Sequence, residues 1–281
     1  MSDINGKIDG NSMVSWGLNR IQNHKNSSLD RNKEVTLNGS DVNVYFVDTG
    51  IQYSHPDYAG KAQLGFDVFG GNGEDELGNG TFLSGIVHSI APLAKLNSVK
   101  VVNGEGGGTI EGIIEAIEWI TSNAKRPAVV NIAIGIPRNK TLDEKIKESI
   151  QSGIIYVIEA GGASEDASFS SPSDLEEGIT VGAVDEEDTI AEFSNYGKNL
   201  DIFAPGVNIL SSKLGEGKVI MSGVQMAAAH VTGVVALLLE KNSKYSQEQI
   251  KEKLILDSTE GIIKNVPSGT PNRFLQTTLM R

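Results

Sequence analysis

Ser222-Gly223-Val224-Gln225-Met226-Ala227-Ala228-Ala229-His230-Val231 opens an apolar run that continues almost unbroken to Glu240. Residues 226–240 read as one helix with hardly any polar face. A surface helix needs only an apolar stripe, so a helix apolar nearly all round belongs inside the molecule, buried on several sides. Short apolar segments at 42–47, 96–102, 128–134, 154–158 and 179–181 have the length and composition of strands. Helical patterns lie between several of them. Residues 109–124 put Ile110, Ile113, Ile114, Ile117 and Ile120 on one stripe, and residues 142–151 form a charged, amphipathic segment. Ser246-Gln247-Glu248-Gln249 reads as a capping box that opens a last helix carrying Ile250 and Leu254. Strands alternating with helices predict an α/β fold, a mostly parallel central sheet with helices on both faces. A chain of 281 residues can bury a large single core, and no linker, repeat or low-complexity tract divides it.

Val44-Tyr45-Phe46-Val47-Asp48-Thr49-Gly50-Ile51 runs from apolar residues into an acid and a small-residue turn. This is a buried strand with a carboxylate at its C-terminal end, where open α/β sheets place their sites. Strand-end turns also use acids for purely structural reasons. Asp-Thr-Gly matches the paired-aspartate proteases too, but those need a second copy to share a proton, and this chain has none. Gly104-Glu105-Gly106-Gly107-Gly108-Thr109 sits between a strand and a helix. It does not complete G-x-G-x-x-G and lacks the Gly-Lys-Ser/Thr of a phosphate-binding loop.

Three further segments join the Asp48 strand: Asp75-Glu76-Leu77-Gly78-Asn79-Gly80-Thr81-Phe82-Leu83-Ser84-Gly85, Val157-Ile158-Glu159-Ala160-Gly161-Gly162-Ala163, and the Gln225 stretch. With flanking matches from Trp16-Gly17-Leu18-Asn19-Arg20-Ile21 to Gly269-Thr270-Pro271-Asn272-Arg273-Phe274-Leu275, the chain resembles the subtilisin-like serine proteases, the proteinase K branch in particular. The resemblance implies the three-layer subtilisin-like fold over residues 16–281, with residues 1–15 as an N-terminal extension.

It also implies roles. Asp48 matches the acid that orients the catalytic histidine. Asn79 stands at the histidine position, Gln225 at the serine position, and Gly162 at the position of the oxyanion-stabilising asparagine. Asparagine cannot exchange a proton near neutral pH. A glutamine amide offers no oxyanion for acyl transfer. Glycine has no side-chain donor, and losing one such donor costs roughly 10²–10³ in rate. Triad members act as a unit, as known from subtilisins themselves, so losing the serine or the histidine costs about as much as losing the whole triad. Phe82, Val224 and Ala229 depart from the family pattern as well. The resemblance therefore implies a catalytically inactive subtilase, a pseudoprotease, that binds an extended peptide or a protein partner. Two other readings stay open: a serine endopeptidase with a relocated nucleophile and base, and a structural protein that makes no use of the cleft.

In the family, the stretch matching Gly106, Gly107, Gly108, Thr109 and Ile110 is an edge strand that pairs with substrate backbone. The opposite wall corresponds to Asn131, Ile132, Ala133, Ile134 and Gly135, and continues through Glu159, Ala160 and Gly161. A peptide would add as a strand between them. Ile136 stands where a second glycine is usual, and Glu159 where the family is small and apolar. Asp201 matches the acid of the family's tighter calcium site, whose carbonyl ligands would come from Glu176 and Gly178, with Glu177 adding charge; such oxygens suit Ca2+. Ile262 replaces the acid of the weaker site.

The four histidines, His24, His55, His88 and His230, are not spaced to meet Asp48 and a hydroxyl. Ser84 and Ser222 are the hydroxyls nearest the changed positions. There is no His-Glu-x-x-His and no cysteine, so neither a zinc-protease motif nor a disulfide is available. A net charge of −12 argues against nucleic acid and anionic membranes and mildly favours basic peptides. No transmembrane run or leader is read from Met1, whereas relatives are typically secreted with a propeptide ahead of the domain. Asn26, Asn38, Asn79 and Asn139 begin Asn-x-Ser/Thr sequons, which matter only on a secretory route.

Overall fold

The structure is a computed structural model that describes residues 15–22, 37–58 and 60–277. Along them run α1 (Trp16–Gln22), β1 (Asn43–Asp48), β2 (Ala62–Asp67), α2 (Asn79–Ile90), β3 (Lys95–Lys100), α3 (Ile110–Asn123) and β4 (Ala128–Ile132). There follow β5 (Ile136–Pro137), α4 (Lys140–Gln151), β6 (Ile155–Glu159), β7 (Ser170–Ser171), β8 (Ile179–Val184), β9 (Ile202–Pro205), β10 (Ile209–Ser212) and β11 (Lys218–Met221). The chain closes with α5 (Val224–Lys241), α6 (Gln247–Asp257), β12 (Thr259–Glu260) and β13 (Arg273–Phe274).

Nine strands form one sheet in the order β12-β13-β9-β8-β6-β4-β1-β3-β2. Every pairing in it is parallel except β12 with β13. The central strands β1, β4 and β8 are buried along their whole length, as strands covered on both faces must be. Alternate residues serve opposite faces. Val44, Phe46, Val129, Ile155 and Val157 pack with α2 and α5, while Tyr45, Val47, Val130 and Tyr156 pack with α3 and α4. The expected α/β architecture, helices on both faces of a mostly parallel sheet, is the one found.

The apolar run after Gly223 forms α5, which lies across β1, β4, β6, β8 and β9. It is long and apolar enough to cross a membrane, but 83% of that apolar window is buried inside the fold. The stripe of isoleucines lies in α3, bounded by residues on either side of it: Thr109 Oγ1 caps the helix by accepting from the Gly112 N–H. The capping box is present, with Ser246 Oγ accepting from Gln249 N–H at 3.3 Å and Gln249 Oε1 accepting from Ser246 N–H at 3.0 Å.

One expected element differs. Gly106, Gly107 and Gly108 are not a strand but part of a turn that runs into α3. Asn103 holds it: its Oδ1 accepts from the N–H groups of Glu105 (3.0 Å) and Gly107 (2.8 Å), and its own N–H donates to Gly107 C=O (2.8 Å). Both backbone groups of Gly107 are thereby engaged within the turn.

Candidate functional site

The C-terminal edge of the sheet brings Asp48 and Glu159 together. Val47 pairs with Ile132 and Ile132 with Ile158, so the next residues, Asp48, Ala133 and Glu159, stand in one row. Val47 and Ile132 face the α3 layer. The strand alternation therefore turns Asp48, Ala133 and Glu159 toward the face that carries α2 and α5.

Asp48 is 4% exposed and accepts a 2.6 Å hydrogen bond from the Thr49 N–H. Burial pushes its carboxyl up to about 7; the Thr49 bond opposes the rise, and the charge of Asp75 adds to it. Asp75 organises the neighbouring turn. Its carboxylate accepts from Thr49 Oγ1 (2.8 Å) and from the N–H groups of Leu77, Gly78 and Thr81 (3.0, 2.9 and 2.9 Å). These bonds set the start of α2, with Asn79 as its first residue. The next residue, Gly80, seats that first turn: a Cβ on it would lie 2.0 Å from Gly50 C=O. The start of α2, with the Asn79 amide as its first side chain, is thus locked onto the loop that follows Asp48. Lys100, buried beside β1, donates to Thr49 C=O at 2.6 Å and pairs with Glu76 at 3.3 Å.

Gln225 is the second residue of α5. A Cβ on Gly223 would fall 2.4 Å from Gln225 Oε1 and 2.9 Å from Nε2. The carboxamide therefore folds back over the turn that leads into the helix. Neither of the two hydroxyls nearest the changed positions in sequence is hydrogen-bonded to an imidazole. Ser222 Oγ accepts from the Asn208 N–H at 2.9 Å, and Ser84 Oγ is buried without a partner among the described residues.

The histidines are placed elsewhere. His55, although it lies in the turn-like Ser54-His55-Pro56-Asp57 stretch, is fully buried: it stacks on Tyr58, and Lys213 C=O lies 3.1 Å from its Nε2. His88 lies within α2, and burial holds its pKa below the usual imidazole value. His230 is buried in α5 with its Nδ1 2.8 Å from Met226 C=O, and desolvation lowers it to about 4. His24 lies outside the described residues, as does the Asn26 sequon. Among the described residues no hydroxyl is hydrogen-bonded to an imidazole.

Beside Glu159 a pocket of about 600 Å³ opens. Gly135, Ile136 and Pro137 make one wall, where β4 runs into β5. Glu159, Gly161, Gly162 and Ala163 make the other, with Glu165, Phe169, Ser170 and Asn195 completing it. Asn195 Oδ1 holds the second wall through the N–H groups of Ala163 (3.0 Å) and Glu165 (3.1 Å). Gly161 needs its glycine, since φ is 95° and a Cβ would lie 2.5 Å from Asn195 Nδ2. Gly162 is the opposite case: a Cβ there would meet nothing within 4 Å, so the space beside it is open. Ile132 and Ala160 are core residues, Ile134 packs against the α3 layer, and Ala133 is partly buried against the α5 layer. Burial raises the Glu159 carboxyl to about 7, and the charge of Asp48 adds to the rise. Glu165, Phe169 and Asn195 were not singled out as cleft residues in the sequence.

Residues Asp201, Glu176 and Gly178 do converge, but on an ammonium group. Lys251 Nζ donates to Glu176 C=O at 2.7 Å and Gly178 C=O at 2.9 Å, and lies 2.9 Å from Asp201 Oδ1. Three acceptors satisfy its three donors. The other carboxylate oxygen of Asp201 accepts from Thr180 N–H, and Glu177 pairs instead with Lys147. A calcium ion needs these same oxygens at about 2.3–2.6 Å, and Nζ already stands among them. The set as folded does not fit calcium. Ile262 packs against the core. Lys251 gives no sign in the sequence, where it is one charge among several on a helix.

The comparisons with known proteins agree with this geometry. The model of the Subtilase family matches residues 39–274. An extracellular serine proteinase of Thermus sp. is 35% identical over 95% of this chain and 67% of its own length. Alkaline serine exoprotease A of Vibrio alginolyticus is 32% identical over 92% of this chain and 49% of its own. The chain thus spans about half to two thirds of the length of these curated relatives. The crystal structure of a cold adapted subtilisin-like serine proteinase superposes with a TM-score of 0.89 at 33% identity, covering 93% of this chain and 97% of that one. Motif order, sheet topology and site architecture therefore converge, and the chain belongs to the subtilase family.

Proposed function

We propose that this subtilase does not cleave peptides but holds an extended peptide, or an extended segment of a protein partner, in the cleft its relatives use for substrate. The observation that carries the reading is the joint replacement at Asn79, Gln225 and Gly162, with no described imidazole paired to a hydroxyl. General-base removal of a proton needs a group that titrates near working pH within hydrogen-bond reach of the nucleophile, and neither partner of that pair stands at its position. The pocket and the Gly135–Pro137 wall beside it retain room for a side chain. The relatives are named as proteinases, which favours a second reading, an active peptidase with a relocated nucleophile.

Hydrolysis of an unfolded protein separates the two. The expected result is no turnover by the native chain and no fluorophosphonate adduct on any serine. Gln225→Ser alone should stay silent because no base would serve it. The triple variant Asn79→His, Gly162→Asn, Gln225→Ser is the positive comparison, and open space at Gly162 leaves room for its new amide. Turnover by the native chain that disappears in Asp48→Ala would overturn the proposal.

A further inference from the structure

The pocket beside the row of strand-end acids carries a charge that no other described group answers. Glu159 closes β6 and is partly buried; its carboxylate lies 3.8 Å from the position a Cβ would take on Gly135, across the width of the opening. No hydrogen bond or ion pair joins it to any described residue, whereas the other acids of this region, Asp48 and Asp75, accept bonds from neighbouring backbone. A carboxylate withdrawn from water without a partner is costly to keep charged, and a cation that enters beside it recovers that cost. The nearby cations are committed elsewhere, Lys100 to Thr49 C=O and Glu76, and Arg138 to Asp174. Among the described residues no lysine or arginine lines the pocket.

The remaining lining matches the rest of a basic side chain. Ile136 and Pro137 offer an apolar wall for an aliphatic stem, which lysine and arginine bury readily while the charged head finds its partner. Phe169, 65% exposed, lines the same pocket, and an aromatic ring is a favourable neighbour for a cation. Glu165, exposed nearby, has the same sign as Glu159, and the net charge of −12 steers cationic segments toward the molecule. We propose that this pocket receives a lysine or arginine side chain of the bound peptide, with Glu159 as its counter-charge. The inference rests on the cleft reading and adds to it the chemical class of the segment recognised.

The test is binding of a positional-scanning set of octapeptides, each position in turn carrying lysine, arginine, norleucine, phenylalanine or glutamate, to the native chain, to Glu159→Gln and to Glu165→Gln. Fluorescence polarisation reads affinity, and thermal melting checks that each variant is folded. One position should favour lysine and arginine over norleucine by about 30-fold, the effect expected for a desolvated charge pair. Glu159→Gln should remove that preference, and Glu165→Gln at the exposed rim should change it by about fivefold or less. If Glu159→Gln does not fold, Glu159→Leu, which keeps the wall apolar, replaces it. Tight binding indifferent to charge at every position, or a basic preference that survives Glu159→Gln, would overturn this inference and leave the cleft reading standing. Failure of every peptide to bind would overturn both. Cleavage next to a basic residue would sink the non-cleaving reading and uphold this one.

Discussion

Asp48 and Glu159 end two strands of one sheet at the same level, with only Ala133 between them, and the charge on Asp48 raises the pKa of Glu159. Two desolvated acids on one face cannot both ionise without cost.

A pH signature follows. Each carboxyl sits near 7 in the folded chain against an ordinary value of 3.8 or 4.5. The folded state therefore binds more protons than the unfolded state between about pH 4 and 7, and these two groups lower stability as pH rises through that window. Glu159→Gln removes one of the penalties. It should match the native chain near pH 4 and be more stable on the order of 2 kcal/mol at pH 8. Urea unfolding at the two pH values reads this, and a variant equally stable to the native chain at both would refute it.

Lys251 supplies a second test. Removing it leaves Asp201 and two carbonyls facing one another around an empty centre, so Lys251→Ala should lose about 2–3 kcal/mol of stability. The native chain should melt at the same temperature in EDTA and in millimolar calcium. Lys251→Ala, with the oxygens exposed, should gain a calcium-dependent rise in Tm. A native Tm that falls in EDTA would show that a metal ion, not the lysine, fills this place.

Two glycines at the site should respond oppositely to the same added methyl. Gly80→Ala forces a Cβ to 2.0 Å from Gly50 C=O, and the first turn of α2 must lift away. A loss of about 2 kcal/mol or more is expected, as for overpacked cores. Gly162→Ala enters open space and should stay within about 0.5 kcal/mol of the native chain. Thermal or denaturant melts of the pair decide it; equal effects would mean that the packing around Gly50 is looser than described.

The sequence displayed its fold wherever burial was two-sided. β1 and α5 show as continuous apolar runs, α3 as a stripe, and α6 by its capping box, because in each the physical cause is local. β2 was not legible, since its residues are mostly exposed or half-exposed along the sheet edge and form no apolar run. β11 was hidden for the same reason, with Lys218 and Ile220 turned to solvent, and β10, though mostly buried, is only four residues long. At the site, Asp48, Asn79, Gly162 and Gln225 could be named because they fall within ordered motifs, and Glu159 because it interrupts one. Lys251 could not, since its meaning depends on carbonyls that residues 176 and 178 contribute whatever their side chains. The turn at Gly106 was misjudged because one side chain, Asn103, takes up backbone groups that a strand would have offered outward.

The lysine among the carbonyls has a further consequence. A bound ion obeys mass action: its occupancy follows its supply, and the stability it lends rises and falls with that supply. An ammonium on a four-carbon tether has no such dependence, because it cannot diffuse away and its local concentration is fixed by the chain. The loop between β7 and β8 is thereby fastened by a side chain of the protein itself, and this fastening does not wait on the supply of a metal ion.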